Sequence, residues 1–166
     1  MRIFLIGYMG SGKTTIGKQL ASRLGYRFVD QDHVIEEEYG MKVSEIFTNL
    51  GENTFREAEN RFLKNLSEDN LVISTGGGAP CFFDNIDIMN RSGRTVYLKA
   101  SPSVLAHRLK YSTGTRPILA GKSGEELLQF IAEKLTEREP FYNRAQYYVE
   151  AANLKVEDIL PLLRNE

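Results

Sequence analysis

Near the start of the chain, Gly7-Tyr8-Met9-Gly10-Ser11-Gly12-Lys13-Thr14 has the residue types and spacing needed to hold a row of phosphates. Glycines let successive backbone N–H groups turn inward around an anion, and a helix starting here adds the positive end of its dipole. Lys13 brings a compact positive charge to the outer phosphates, and Thr14 offers a hydroxyl to Mg²⁺. Gly10, Ser11, Gly12, Lys13, Thr14 and Thr15 are the expected contacts to the phosphates of a nucleotide. The bland alternative is a flexible turn before an ordinary helix. The complete match, between an apolar run and a helical pattern, argues against it. The motif leaves the acceptor of a phosphoryl group open.

Several other residues have the chemistry to hold an acceptor. Asp30 and Asp32 flank Gln31 just past a strand pattern; extended residues two apart point the same way, which would aim both carboxylates at the rim carrying the phosphate loop. One could act through water around Mg²⁺ and the other could take a proton from an attacking hydroxyl. The competing reading is that Asp32 caps a helix starting at His33. Further on, Phe55, Ala58, Phe62 and Leu66 form one helical stripe, with Glu59 in its middle and Arg56 on its edge. A carboxylate inside an apolar stripe is costly unless paired, and Arg56 at i−3 is its natural partner; the plainer alternative is a surface ion pair. Arg138 falls on the apolar face of Leu127, Ile131 and Leu135, as a second inward arginine or as a cation at a helix end. Two inward arginines suit a small carboxylate, because the guanidinium fork binds it bidentately. Gly76-Gly77-Gly78 either permits close backbone approach to an oxygen-rich ligand or makes a tight turn. Arg116, on a polar stretch with Gly114, Gly121 and Gly124, could close over the outermost phosphate. His33 and His107 lack any ligand cluster, and Cys81 lacks a nearby base.

The elements that must position these residues follow from periodicity. Ile3 to Ile6, Tyr26 to Val29, Leu71 to Ser74, Thr95 to Leu98 and Tyr147 to Val149 read as strands. Helical patterns lie between them: Thr14 to Leu24, three helices from His33 to Leu66 punctuated by Gly40 and Gly51, one after Ser101-Pro102, a long one from about Glu125, and Val156 to Leu163. This alternation predicts an α/β fold, a mainly parallel sheet covered on both faces, with ligands at the carboxyl ends of its strands. With 166 residues a single domain over 1–166 is expected, able to bury a core without disulfides or a structural metal. The net charge of −1 excludes an overall nucleic-acid footprint. The chain has no apolar run long enough for a membrane span, and its one cysteine cannot form an internal bridge. The opening Met1-Arg2-Ile3-Phe4-Leu5-Ile6 runs straight into the phosphate loop rather than into a signal-peptide core, so a cytoplasmic protein is expected. Near-neutral charge and the lack of a heptad pattern make a monomer the default.

Taken together, the chain resembles the shikimate kinase family. The resemblance is carried by the phosphate loop, Phe28-Val29-Asp30-Gln31-Asp32, Gly51-Glu52 with Phe55-Arg56 and Glu59, Ser74-Thr75-Gly76-Gly77-Gly78, Arg116-Pro117-Ile118-Leu119, and Arg138 with Tyr142 and Ala145. It implies a three-layer α/β/α phosphate-loop kinase fold with a five-stranded parallel sheet in the order 2-3-1-4-5. The acceptor-binding segment would run from about 32 to 60 and the lid from about 111 to 124. It implies transfer of a phosphoryl group from ATP, with Mg²⁺, to the 3-hydroxyl of shikimate, in chorismate and aromatic amino-acid biosynthesis.

By the same resemblance, Asp32, Arg56, Gly77, Gly78 and Arg138 form the shikimate site, and Glu59 supports Arg56. Lys13, Asp32 and Arg116 are the catalytic set. Thr14 ligates Mg²⁺ directly, and Asp30 and Ser74 do so through water. On the adenine side the match is Arg108, with Lys110 competing, and Asn153 in the turn Ala151-Ala152-Asn153. Gluconate or nucleoside monophosphate kinases would share the fold but lack the joint Phe55-Arg56-Glu59 and triple-glycine pattern. A GTPase-like switch would need an N-K-x-D guanine signature, which the chain does not contain.

Overall fold

The computed structural model describes residues 1–110 and 124–164. Five strands, β1 (Arg2–Ile6), β2 (Arg27–Asp30), β3 (Leu71–Ser74), β4 (Arg94–Lys99) and β5 (Tyr147–Glu150), form one sheet in the order β2-β3-β1-β4-β5. Every pairing is parallel. The expected α/β architecture and the 2-3-1-4-5 order are therefore both found. Ile3, Phe4, Leu5 and Ile6 have no exposed surface, as a central parallel strand covered on both faces requires. The helices are α1 (Lys13–Leu24), α2 (Gln31–Tyr39), α3 (Val43–Leu50), α4 (Glu52–Lys64), α5 (Asn85–Ser92), α6 (Pro102–Lys110), α7 (Gly124–Tyr142) and α8 (Val156–Arg164). None is long and apolar enough to cross a membrane.

Strand β1 has β3 on one side and β4 on the other, so the strand order reverses beside its carboxyl end, where ligands settle in open parallel sheets. Register sets the site further: Leu5 pairs with Ser74 and Asp30 with the same Ser74. The ends of β1, β2 and β3 therefore lie level. A main core surrounds the sheet, and a second, smaller one, built from Ile35, Ile46, Phe55 and Ala58, holds α2, α3 and α4 together. The segment expected to bind the acceptor thus carries its own apolar centre.

Two expectations need correction. Helix α2 begins at Gln31, not His33, and its cap is Asp30, whose side chain accepts the His33 N–H at 3.3 Å. Asp32 is therefore a first-turn helical residue. It is neither the cap nor an extended residue facing the same way as Asp30, and it reaches the site from a helix. Helix α5 was not expected. Its eight residues give too short a pattern to register, yet Ile86, Ile88 and Met89 bury against the main core, and Gly93 follows it.

Candidate functional site

The phosphate loop joins β1 to α1. Gly10 and Gly12 have φ of 83° and 99°, backbone that side chains with a Cβ rarely adopt, and Gly12 is the residue from which α1 starts. Lys13 is buried and folds back over the loop, donating to the carbonyls of Gly7 and Tyr8 (3.1 Å to Tyr8). Thr14 and Thr15 are exposed at the helix start. The loop opens onto a cavity of about 1270 Å³ that also receives Asp30, Asp32, Arg56, Glu59, Ser74, Gly76 to Gly78, Arg108, Arg138 and Asn153. Every described residue expected at the site therefore lines one cavity. Arg116 lies outside the described residues, as does nearly all of the 111–124 lid segment.

Arg56 is the centre of the side of the cavity expected to hold the acceptor. Its Nη1 donates to Oε1 of Glu59 at 2.9 Å and its Nε to Glu52 at 3.2 Å. Glu59 is fully buried and Arg56 nearly so, which makes this an interior ion pair rather than a surface one. Rings of Phe47, Phe55 and Phe82 lie around the guanidinium, Phe82 closest at 4.2 Å from Cζ. Arg138, 9% exposed, points inward from the last turns of α7 with its Cζ 5.3 Å from the Tyr8 ring. Its Nη1 is buried without a hydrogen-bond partner among the described residues. A buried, unpaired guanidinium N–H is costly, so this donor is set for a ligand oxygen.

The triple glycine is dictated by space. A Cβ on Gly76 would lie 2.5 Å from Glu59 Oε2 and 2.9 Å from Asp32 Oδ1, and one on Gly78 would lie 2.7 Å from Arg56 Nη1. A Cβ on Gly77 would stand 3.5 Å from Arg138 Nη1. The loop therefore passes against all four charged groups of the acceptor side. Tyr142 donates to the Gly77 carbonyl and fixes the loop from α7.

Electrostatics follow from this burial. Desolvation pushes the Asp32 carboxyl up to about 6, with Asp30 adding to the rise and Lys13 and Arg56 opposing it. Desolvation likewise pushes Glu59 up to about 7, against the pull of Arg56. Oδ1 of Asp32 and Oε2 of Glu59 are both buried without partners among the described residues. Cys81 is half-buried and pushed up to about 11 by desolvation, an inert thiol.

On the far side of the loop, Arg108 donates through Nη1 to the carbonyls of Gly10 and Ser11 (3.2 and 3.1 Å) and through Nη2 to that of Ala151 at 3.0 Å. It thereby ties the phosphate loop to the turn carrying Asn153, which sits at φ 57°. Arg108 lines the cavity and Lys110, its competitor, does not.

Gln31 was missed by sequence reasoning. It has no exposed surface; its Oε1 accepts the Gly76 N–H at 2.9 Å and its Nε2 donates to the Glu59 carbonyl at 3.2 Å. The only sequence signal was its place between two aspartates, where a polar residue reads as a solvated turn.

The parallel sheet with this strand order, the phosphate loop at its switch point and the arginine-lined pocket beside it define a phosphate-loop kinase. The family described as shikimate kinase matches residues 9–163. A shikimate kinase of Parabacteroides distasonis is 53% identical over 157 residues, covering 94% of this chain and 91% of that one. The crystal structure of shikimate kinase from Bacteroides thetaiotaomicron superposes with a TM-score of 0.94 at 48% identity, covering 99% of each chain. That of the Acinetobacter baumannii enzyme in complex with shikimate has a TM-score of 0.87 at 37% identity, covering 97% of this chain and 91% of that one. The chain belongs to the shikimate kinase family.

Proposed function

We propose that this chain transfers the γ-phosphoryl group of ATP to the 3-hydroxyl of shikimate, giving shikimate 3-phosphate and ADP. The observation that carries this reading is the pair of inward arginines facing Gly77 and Gly78 beside the phosphate loop. Arg138 has a buried donor without a partner among the described residues, and Arg56 is braced by Glu59 with its fork against Gly78. Such a pair holds the acceptor's carboxylate and so fixes the ring, while Asp32 binds its hydroxyls and accepts the proton of the attacking one. As the new P–O bond forms, the bond from the γ-phosphorus to the β–γ bridging oxygen breaks and ADP leaves. Lys13 and Arg116 neutralise charge on the transferring group. Gly10 to Thr15 hold the phosphates, and Arg108 and Asn153 flank the adenine.

The residues present fit Mg²⁺. The exposed Thr14 hydroxyl stands at the start of α1, and Asp30 and Ser74 lie side by side at the ends of β2 and β3, all oxygen donors on one cavity. No cluster of three acidic, histidine or cysteine residues that could cage a metal occurs among the described residues, in keeping with a cation held chiefly by nucleotide phosphates and water. When bound, it supplies charge neutralisation on the phosphates; Thr14 would hold it directly and Asp30 and Ser74 through water. Product identity tests the reading: incubation with Mg-ATP and shikimate should give a monophosphate whose phosphorus couples to the proton on C3. A phosphate on another hydroxyl, or none, would overturn the assignment. A cytoplasmic monomer is the accompanying expectation, and its mass in solution is the check.

A further inference from the structure

Arg56 has two edges and two faces to account for. Two donors are occupied: Nε by Glu52 and one hydrogen of Nη1 by Glu59. The end formed by Nη1 and Nη2 lies against Gly78, where a Cβ would stand 2.7 and 2.8 Å from the two nitrogens. Among the described residues, no hydrogen-bond acceptor meets Nη2. On the face, the Phe82 ring centroid lies 4.2 Å from Cζ, closer than Phe55 at 5.4 Å and Phe47 at 5.8 Å. A ring at that distance attracts the cation through its negative face and keeps water off it.

Phe82 is held there by the chain around it. It follows a 3₁₀ turn, Ala79–Cys81, and is itself extended. The next residue, Phe83, has φ 51° and is largely exposed, a conformation bulky residues avoid. That reversal sends two adjacent phenylalanines in opposite directions, one onto Arg56 and one into solvent. Strain of this kind persists where the surroundings over-determine it. Here Asn85, fully buried, donates to the Ala79 carbonyl at 2.8 Å, and Asn60 on α4 donates to Asn85 Oδ1 at 2.7 Å. The turn carrying Phe82 is thus pinned to the same helix that carries Arg56.

We infer that Phe82 is a positioning residue for the acceptor: its ring fixes the plane of the Arg56 guanidinium so that only the Nη edge beside Gly78 is offered to a carboxylate. This rests on the reading of Arg56 as a carboxylate ligand. An arginine held in plane presents its fork without losing further rotamer freedom on binding. The contact of the Phe82 ring is with Arg56, so its effect should fall on the acceptor.

Steady-state kinetics on the whole chain, varying shikimate and ATP separately, test this. Phe82→Leu keeps apolar bulk at a half-buried position and removes the ring. The KM for shikimate should rise about five- to tenfold, with kcat and the KM for ATP within about twofold. Phe82→Tyr, which restores the ring, should return it to within about twofold of the parent. In an Arg56→Ala background Phe82→Leu should add less than about twofold, because its action passes through Arg56. If Arg56→Ala raises the shikimate KM but Phe82→Leu does not, the role of Phe82 is overturned and the reading of Arg56 stands. If Arg56→Ala itself leaves that KM unchanged, the carboxylate reading fails and the inference with it. Independent, multiplying effects of the two substitutions, with no rescue by Tyr, would mark Phe82 as merely structural and overturn the inference.

Discussion

The backbone N–H of Gly76 donates to the side-chain oxygen of Gln31 at 2.9 Å, inside the protein and between two segments that share no strand or helix. Through its nitrogen the same amide holds the Glu59 carbonyl on α4. One side chain thus sets the spacing of Asp32, its neighbour in the chain, of the glycine loop and of the helix carrying Arg56. Replacing Gln31 by Leu leaves a buried N–H unpaired, which costs about 1–3 kcal/mol of stability. Loosening the acceptor side should also raise the KM for shikimate more than that for ATP, as chemical denaturation together with kinetics on the two substrates would show.

Gly76→Ala should be more severe in function than in folding. Its methyl would stand 2.5 Å from Glu59 Oε2 and 2.9 Å from Asp32 Oδ1, so both carboxylates must move. The expected outcome is a folded protein, judged by its cooperative melt, with shikimate turnover down by about a hundredfold or more, because a displacement near 1 Å is enough for that.

Arg56→Ala removes one arm of the proposed carboxylate clamp and leaves Glu59 buried without its partner. Acceptor affinity should fall by about 3 kcal/mol, more than a hundredfold in Kd by calorimetry. ATP affinity should stay within about twofold. Equal losses for both ligands would point to a structural role instead.

Stability should depend on pH through Glu59. In the native state burial holds its proton up to about pH 7, whereas the unfolded chain releases it near 4.5, the ordinary value for a glutamate. Between these values the folded state binds more protons, so raising the pH costs stability. The contribution is full below 4.5 and lost as the pH passes 7. Glu59→Gln lacks this dependence. From urea unfolding at pH 4.5 and 7.5, the parent should lose up to about 3 kcal/mol more than the variant. Parallel losses would show that Glu59 is not the group responsible.

Much of this was legible in the sequence for physical reasons. The phosphate loop has to be written in glycines because its backbone conformations admit little else, and β1 must be apolar from Ile3 to Ile6 because both its faces are covered there. Glu59 stood out because a carboxylate in an apolar stripe needs a partner. Other features leave no local trace. Gln31 is a polar residue in a polar turn, and only the fold brings Gly76 and Glu59 to it. Phe82 lies after a turn whose direction depends on the reversal at Phe83, a choice no periodicity records. The cap of α2 is not legible because Asp30 and Asp32 are equally good capping residues; the length of β2 decides for Asp30.

Arg116→Ala should lower kcat by about a thousandfold without changing the melting temperature, as expected for a cation that meets the transferring phosphoryl group. A rate within about twofold of the parent would remove Arg116 from the catalytic set.

Shikimate as the acceptor is tested by ADP release measured in parallel with shikimate, gluconate, AMP and no acceptor, each with Mg-ATP. Release should appear with shikimate alone and, at a shikimate concentration near the parent's KM, should fall more than about tenfold on Arg56→Ala and on Arg138→Ala. Release with gluconate or AMP at a comparable rate, or release with shikimate that survives loss of both arginines, would contradict it.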